Sequence, residues 1–196
     1  MRDDATPSHA LLRPARSAEI GFVHAALCAA ADEAVGEVST FAEQEKRRFS
    51  PGYLRALAEA DPLNVLIALS PQGARAGIII SGPENGAVML YWCYLLPEFR
   101  KGALAMRCLS AYVKLWQGRR AHKLVAYTRS TNRATRLMMQ RAGYREVALL
   151  ERHFYGLDFV LYDYMLDKRE DGYDPFVSPG FAKRMRLRLR EAFGAG

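Results

Sequence analysis

Residues 97–105 read PEFRKGALA, set between the apolar run VMLYWCYLL at 88–96 and the helix-like stretch MRCLSAYVKLW at 106–116. A basic, glycine-containing turn that carries a buried strand into a helix presents backbone N–H groups and a helix N-terminus together, and both favour an anion. Beyond the turn, the spacing predicts a helix over 103–116 whose inward face carries Leu104, Cys108, Leu109, Ala111 or Tyr112, and Leu115.

Working outward, NVLIALS at 64–70 and RAGIIISG at 75–82 read as two strands joined by the turn PQGA, and PENGA connects the second to VMLYWCYLL. Three short strands on such turns make an antiparallel meander. Before them, Leu11 to Ala15 surrounds Arg13-Pro14 and suits a first or edge strand, because proline cannot donate to a central ladder. Ser17 is placed to cap a helix carrying Ile20, Val23, Ala26, Leu27 and Ala30, and Ser50-Pro51-Gly52 opens another with Tyr53, Leu54, Leu57 and Ala60 that Asp61-Pro62 ends. After the central helix, HKLVAYT is a strand, Asn132 to Arg141 a helix ending at Gly143, and EVALLE with DFVLYDYML supply two more strands. The order strand, two helices, three strands, helix, strand, helix, two strands predicts an α/β fold, an open, mixed and mostly antiparallel sheet with helices on both faces.

Half of the 196 residues are apolar or aromatic, enough to bury one domain, and we expect one domain over 1–167 followed by a basic tail over 168–196. Of the formal net charge of +7, seven basic and four acidic side chains lie from Lys168 onward, so the body carries only +4. That is a solvated surface suited to an acidic ligand, and nucleic acid is not an expected partner. Cys28, Cys93 and Cys108 are odd in number and lack metal-ligand spacing, which predicts core thiols of a reducing compartment with neither disulfide nor metal. No apolar stretch is long enough for a transmembrane segment or a signal peptide, and the expected location is cytoplasmic. In the tail, Phe181, Met185, Leu189 and Phe193 fall four apart behind Ser178-Pro179, as on a basic amphipathic helix; RMRLRLR also alternates with period two, as in a strand. The protein's own body, a second copy in a homodimer, or an anionic partner would each bury such a stripe.

Three features together resemble the GNAT family of acyl-CoA N-acyltransferases over about residues 11 to 167. They are the order of elements, Leu95-Leu96-Pro97 leading into Arg100-Lys101-Gly102-Ala103-Leu104-Ala105, and Asn132 followed by Gly143-Tyr144. In that family the turn after the fourth strand runs Arg or Gln, two variable residues, Gly, one variable residue, then Gly or Ala. Arg100 takes the first place, Ala103 stands where the middle glycine is usual, Ala105 fills the last, and Gly102 comes one residue early. The resemblance implies acetyl-CoA as acyl donor, held by Leu95, Leu96, Arg100, Lys101, Gly102, Ala103, Leu104, Ala105 and Asn132. It further implies a primary amine acceptor, on a small molecule or a protein, attacking the thioester in a ternary complex.

The family's second motif departs at Met139, where a tyrosine is often assigned to protonate the departing thiolate. A thioether has no proton to give, and Met138 and Met139 read as packing residues. A thiol has a pKa of about 8.5, so solvent can replace that acid. By resemblance, the Leu95 backbone N–H is the oxyanion donor. The fourth and fifth strands offer Tyr91, Tyr94 and Tyr127 where a family glutamate is common. That leaves Glu33 and Glu37, in the segment bordering the acceptor pocket, and His153, near the join of the last two strands, as candidate bases, although such side chains are more often simply solvated or packed. Tyr91, Trp92, Tyr94, Tyr127, Phe154 and Tyr155 are available to line an acceptor cleft. A GNAT-like domain that binds coenzyme A or a protein without turnover, and acyl transfer from an acyl carrier protein, are the alternatives.

Overall fold

The computed structural model describes residues 11–35 and 39–173 of the chain; Glu37 and the proposed tail helix lie outside the described residues. β1 (Leu12–Pro14) pairs antiparallel with β2 (Val65–Leu69) and forms one edge of the sheet, as its proline requires. Between them run α1 (Ile20–Val35), α2 (Ser39–Arg48) and α3 (Pro51–Ala60). Ser17 does not cap α1. It begins a short 3-10 turn, and Glu19 accepts both the Arg16 N–H at 3.0 Å and the Arg13 guanidinium at 2.7 Å. A carboxylate that takes a charged fork and an amide at once is a stronger anchor than a lone hydroxyl. α3 opens as expected, with Ser50 Oγ accepting the Tyr53 N–H at 3.4 Å ahead of Pro51.

β3 (Arg75–Glu84) and β4 (Ala87–Leu95) form a hairpin across Asn85 and Gly86, whose φ values of 52° and 78° match the mirror-image turn that the strand twist selects. α4 (Leu104–Trp116), β5 (Lys123–Arg129), α5 (Arg133–Arg141), β6 (Arg145–Phe154) and β7 (Leu157–Met165) complete the chain. The seven strands lie in the order β1-β2-β3-β4-β5-β7-β6, antiparallel throughout except for β4 with β5. This is the mixed, mostly antiparallel sheet that the element order predicts.

Strand alternation divides the core in two. On one face Leu66, Ala68, Ile79 and Leu90 pack against Leu104, Cys108, Leu109 and Tyr112 of α4 and Met139 of α5. On the other, Val65, Ile67, Ile78 and Ile80 pack against Ile20, Val23 and Leu27 of α1 and Leu54 and Leu57 of α3. The central strands are apolar on both sides because helices cover both. α4 buries its expected face and adds Val113 and Trp116, with Ala111 and Leu115 half-buried at its flank. Met139 is 3% exposed within this core. Among the described residues no helix is long and apolar enough to cross a membrane.

Candidate active site

The parallel pairing of β4 with β5 is short. It holds Val88 to Leu124, Met89 to Val125 and Leu90 to Ala126, and then stops, although β4 continues to Leu95 and β5 to Arg129. A bulge marks the parting: Ile80 faces Trp92 while Ser81 faces Leu90, which leaves Tyr91 as the extra residue on β4. A bulge bends its strand and sharpens the twist. The two strands therefore open into a V whose arms are residues 91–95 and 127–129.

The register shows what β4 offers to this opening. Leu96 donates its N–H to the Ala76 carbonyl at 2.9 Å, and Gly77 is opposite Leu95. Bonded and non-bonded pairs alternate along an antiparallel ladder, so the N–H and C=O groups of Leu95, and those of Cys93 two residues earlier, point away from β3 and into the V. A strand edge with two such amide donors can pair with an amide-bearing chain or a carbonyl oxygen.

At the mouth of the V the chain turns from β4 into α4. Gly102 has φ of 87°, the left-handed conformation that side chains avoid, and Ala103 is the helix N-cap with φ of −94°. Glycine is thus needed one residue before the family's usual position, and the right-handed Ala103 has no conformational need of it. Ala103 supplies no side-chain cap, and the first amides of a helix have no partner within it, so the positive end of α4 beginning at Leu104 and Ala105 is open to a ligand. Lys101 and Arg107 add charge around a cavity of about 230 Å³ that Ser70, Gln72 and Leu104 also line.

Arg100 is engaged on both sides. Its Nε donates to the Leu95 carbonyl at 2.9 Å, its Nη2 to Glu33 Oε2 at 2.7 Å, and its guanidinium lies 4.9 Å from the centre of the Tyr94 ring. Tyr94 donates its hydroxyl to Glu33 Oε1 at 2.6 Å. This tyrosine bond, and then the arginine beside it, hold the Glu33 carboxyl below its ordinary range. Burial and the neighbouring carboxylate push the Tyr94 hydroxyl up. Glu33 is therefore an anion at neutral pH, with its side chain 46% exposed. From the other arm of the V, Arg129 donates to the Ala34 carbonyl at 3.3 Å. The C-terminal end of α1 is clamped at consecutive residues by two arginines, Arg100 from the turn after β4 and Arg129 from the β5 arm.

Three consecutive residues of α2 reach three different elements. Gln44 accepts the Tyr155 hydroxyl from the β6–β7 hairpin, Glu45 accepts the Trp92 indole N–H from β4 at 2.9 Å, and Lys46 pairs with Asp32 of α1 at 2.6 Å. Phe41 lies between the Trp92 ring at 6.4 Å and the Tyr155 ring at 5.8 Å. Sequence reading missed α2 altogether. Its polar run EQEKRR has no apolar period, and the partners that hold it are remote in sequence.

Of the other expected site residues, Asn132 caps α5, its Oδ1 accepting the Thr135 N–H at 3.0 Å, just beyond the β5 arm. Leu95 and Leu96 end the β4 arm, and Met139 is in the core, as a packing residue would be. His153 is exposed on β6, its ring 4.1 Å from Phe154 and 5.3 Å from Tyr127 on the β5 arm, so it borders the V on the side opposite Glu33. Arg129 was not anticipated, since nothing local distinguishes it from the chain's other arginines.

No family model matches the sequence, and no curated protein matches it. Solved structures do match its shape. Ribosomal-protein-alanine N-acetyltransferase from Brucella melitensis aligns with a TM-score of 0.63 at 21% identity, covering 80% of this chain and 99% of the other. RimL, a ribosomal L7/L12 alpha-N-protein acetyltransferase solved in complex with coenzyme A, gives 0.61 at 16% identity, over 84% and 98%. An acetyltransferase of the GNAT family from Bacillus cereus gives 0.58 at 12%, over 79% and 96%. With its seven strands in this order and a V between the fourth and fifth, the chain has the fold of the GNAT acetyltransferases.

Proposed function

We propose that this protein transfers an acyl group, acetyl in the simplest case, from acyl-CoA to a primary amine by direct attack in a ternary complex. The observation that carries the reading is the free edge of β4 at Cys93 and Leu95 running directly into the open N-terminus of α4. A pantetheine arm has amides for the first, and the pyrophosphate it hangs from is an anion for the second. Arg100, Lys101, Gly102, Ala103, Leu104 and Ala105 form the phosphate turn, with Leu95, Leu96 and Asn132 along the arms. The coenzyme A complex of RimL supports a ligand of this kind in the shared fold.

In the reaction the amine nitrogen bonds to the thioester carbon, the carbonyl oxygen takes up charge, and the carbon–sulfur bond breaks as the coenzyme A thiolate departs. The Leu95 N–H, aimed into the V, is the donor for that oxygen. Glu33 is the candidate base that hydrogen bonds fix at the mouth. Its depressed proton affinity makes it a better binder of the incoming ammonium than a direct proton acceptor, with water carrying the proton away. His153 and Glu37 are the remaining candidates for that proton. The buried thioether of Met139 supplies no acid, so solvent protonates the thiolate. The free cysteines suit a cytoplasmic setting.

Thermal shift with acetyl-CoA, longer acyl-CoAs and free coenzyme A, followed by thiol release over a panel of amines, tests this reading. Ligand at about 100 times its Kd stabilises by about 2.7 kcal/mol, so binding is readily seen. Stabilisation without thiol release from any amine would make the protein a coenzyme A binder. No stabilisation by any of the three, with release only from an acylated carrier protein, would move the donor to the carrier.

A further inference from the structure

α1 and α3 pack on β2, β3 and the end of β4. Strand alternation puts Val88, Leu90, Leu124 and Ala126 on the opposite, α4 side, so Ala87, Met89 and Val125 share the face of α1 and α3 but lie beyond their cluster. The apolar side chains packed on these three are Tyr91, Tyr127 and Leu161, all from the sheet itself. A sheet face with nothing above it stands in water, yet Ala87, Met89 and Val125 are only 7%, 8% and 9% exposed. On the same face Asp163 is opposite Val125, and Met165, two positions on, is 62% exposed. The cover is thus local, and no apolar side chain of a described helix contributes to it.

We infer that the basic C-terminal tail docks as a helix across Ala87, Met89 and Val125 of its own chain, with Phe181, Met185, Leu189 and Phe193 against the sheet. The described chain ends beside this patch. Tyr173 packs on Gly86, where an added Cβ would come within 2.7 Å of its ring, and lies edge-on to His122 with 5.9 Å between ring centroids. Gly86 immediately precedes Ala87, so residues 174–196 start at the rim of the patch. Residues 1–10 instead enter at β1, the far edge of the sheet, with α1 and α3 standing between, and their sequence MRDDATPSHA has no apolar period. Residues 36–38 only join α1 to α2.

Size and charge agree with this occupant. From Phe181 to Phe193 a helix is about 18 Å long, and β4 from Ala87 to Tyr91 runs about 13 Å, so one helix covers the patch. Glu84, opposite Ala87 on β3, sets a carboxylate at the rim, complementary to the basic side chains that flank the tail's apolar stripe. A helix this short is marginal alone in water, and a tether beside an apolar patch raises the local concentration of that patch over any other surface. The inference stands apart from the acyl-transfer reading. Tyr127 nevertheless belongs both to the patch and to the β5 arm of the V, so the docked tail also backs that arm.

The methionines of the full chain supply the test. With carbon-13 methyl-labelled methionine and a soluble gadolinium chelate, NMR reads how far each methyl group is shielded from solvent. In wild type, Met89 and Met185 should both be shielded and share a nuclear Overhauser contact or one through Val125, Met139 should be shielded in the core, and Met165 should be broadened. Phe181→Asp with Leu189→Asp should expose Met89 and Met185 severalfold to the chelate while Met139 stays shielded, which shows that the fold is intact. Leu189→Ser alone carries the comparison where the double variant fails to fold. A wild-type Met185 broadened like Met165 overturns the inference, as does a Met89 that stays shielded once Met185 is exposed. Shielding of Met185 that is lost on dilution, with a dimer in sedimentation, would assign the stripe to a second copy and overturn it. Shielding that appears only when phosphatidylserine vesicles are added would assign the stripe to an anionic surface and overturn it as well.

Discussion

The Arg100 guanidinium and the Glu33 carboxylate meet at 2.7 Å although 67 positions separate them in sequence. Arg100 also holds the Leu95 carbonyl at 2.9 Å, so one side chain joins the end of α1, the free edge of β4 and the turn that leads into α4. On the proposed reading an arriving pyrophosphate competes with Glu33 for this guanidinium, and donor binding and the charge seen by the acceptor become linked through it.

Arg100→Glu should weaken acetyl-CoA binding by at least about tenfold, because it removes a charged donor and puts a second carboxylate beside Glu33. Arg55→Glu, on the exposed side of α3, is the control and should change binding little. Arg145 would not serve, since it forms two bonds to the buried Asp163 at 3.1 and 2.9 Å and its loss would act through the fold. Calorimetric titration decides, and equal effects at Arg100 and Arg55 would remove Arg100 from the phosphate site.

Glu33→Gln should lower kcat with an amine by about tenfold while acetyl-CoA binding changes less. Tyr94→Phe, which removes the hydroxyl holding Glu33 low, should raise the Glu33 pKa toward the ordinary carboxylate range. Carbon-detected NMR titration of the glutamate carboxyls reads this directly. A Glu33 pKa that does not move would mean that Arg100 alone sets it.

Gly102→Ala should cost about 1 kcal/mol or somewhat more, since a side chain is forced to φ of 87°, and acetyl-CoA affinity should fall with it. Ala103→Gly should not tighten binding, because Ala103 already has a right-handed φ of −94°. Chemical denaturation and titration of both variants check the pair. Clear tightening by Ala103→Gly would show that the methyl group, rather than the turn's conformation, limits phosphate approach.

Met139→Leu should keep turnover within a few-fold and cost under about 1.5 kcal/mol, as a near volume-conserving change in a packed core. Loss of activity by orders of magnitude in a folded variant would contradict its packing role.

Stability at low pH should report the anchor at the start of α1. The Arg13 guanidinium and the Arg16 amide hold the Glu19 carboxyl down at about 2. Its folded pKa lies below the unfolded value of about 4.3, so its contribution is fully present above the unfolded pKa and is lost as pH falls toward the folded one. The Tm difference between wild type and Glu19→Gln should be constant above about pH 5 and shrink steadily toward pH 2. A difference that does not depend on pH would mean the anchor is steric.

Much of this architecture is written locally. The turn at 97–105 decided where β4 ends and α4 begins, Asn85-Gly86 decided a hairpin, Ser50-Pro51 decided a helix start, and the 3.6-residue spacing of Leu104, Cys108 and Leu109 decided which face of α4 is buried. These signals act between neighbours a few residues apart, where backbone sterics and periodicity suffice. Tertiary structure alone decided the rest. The V between β4 and β5 arises from a bulge whose register depends on Ile80 meeting Trp92 and Ser81 meeting Leu90 across strands; α2 is held by Trp92, Tyr155 and Asp32, none of them its sequence neighbours; and Glu33 became the residue at the mouth because Tyr94 and Arg100 converge on it from a strand and a turn. A polar helix with no apolar stripe, or a glutamate with ordinary neighbours, has no local signature, because its energy lies in contacts that exist only after the chain has brought distant segments together.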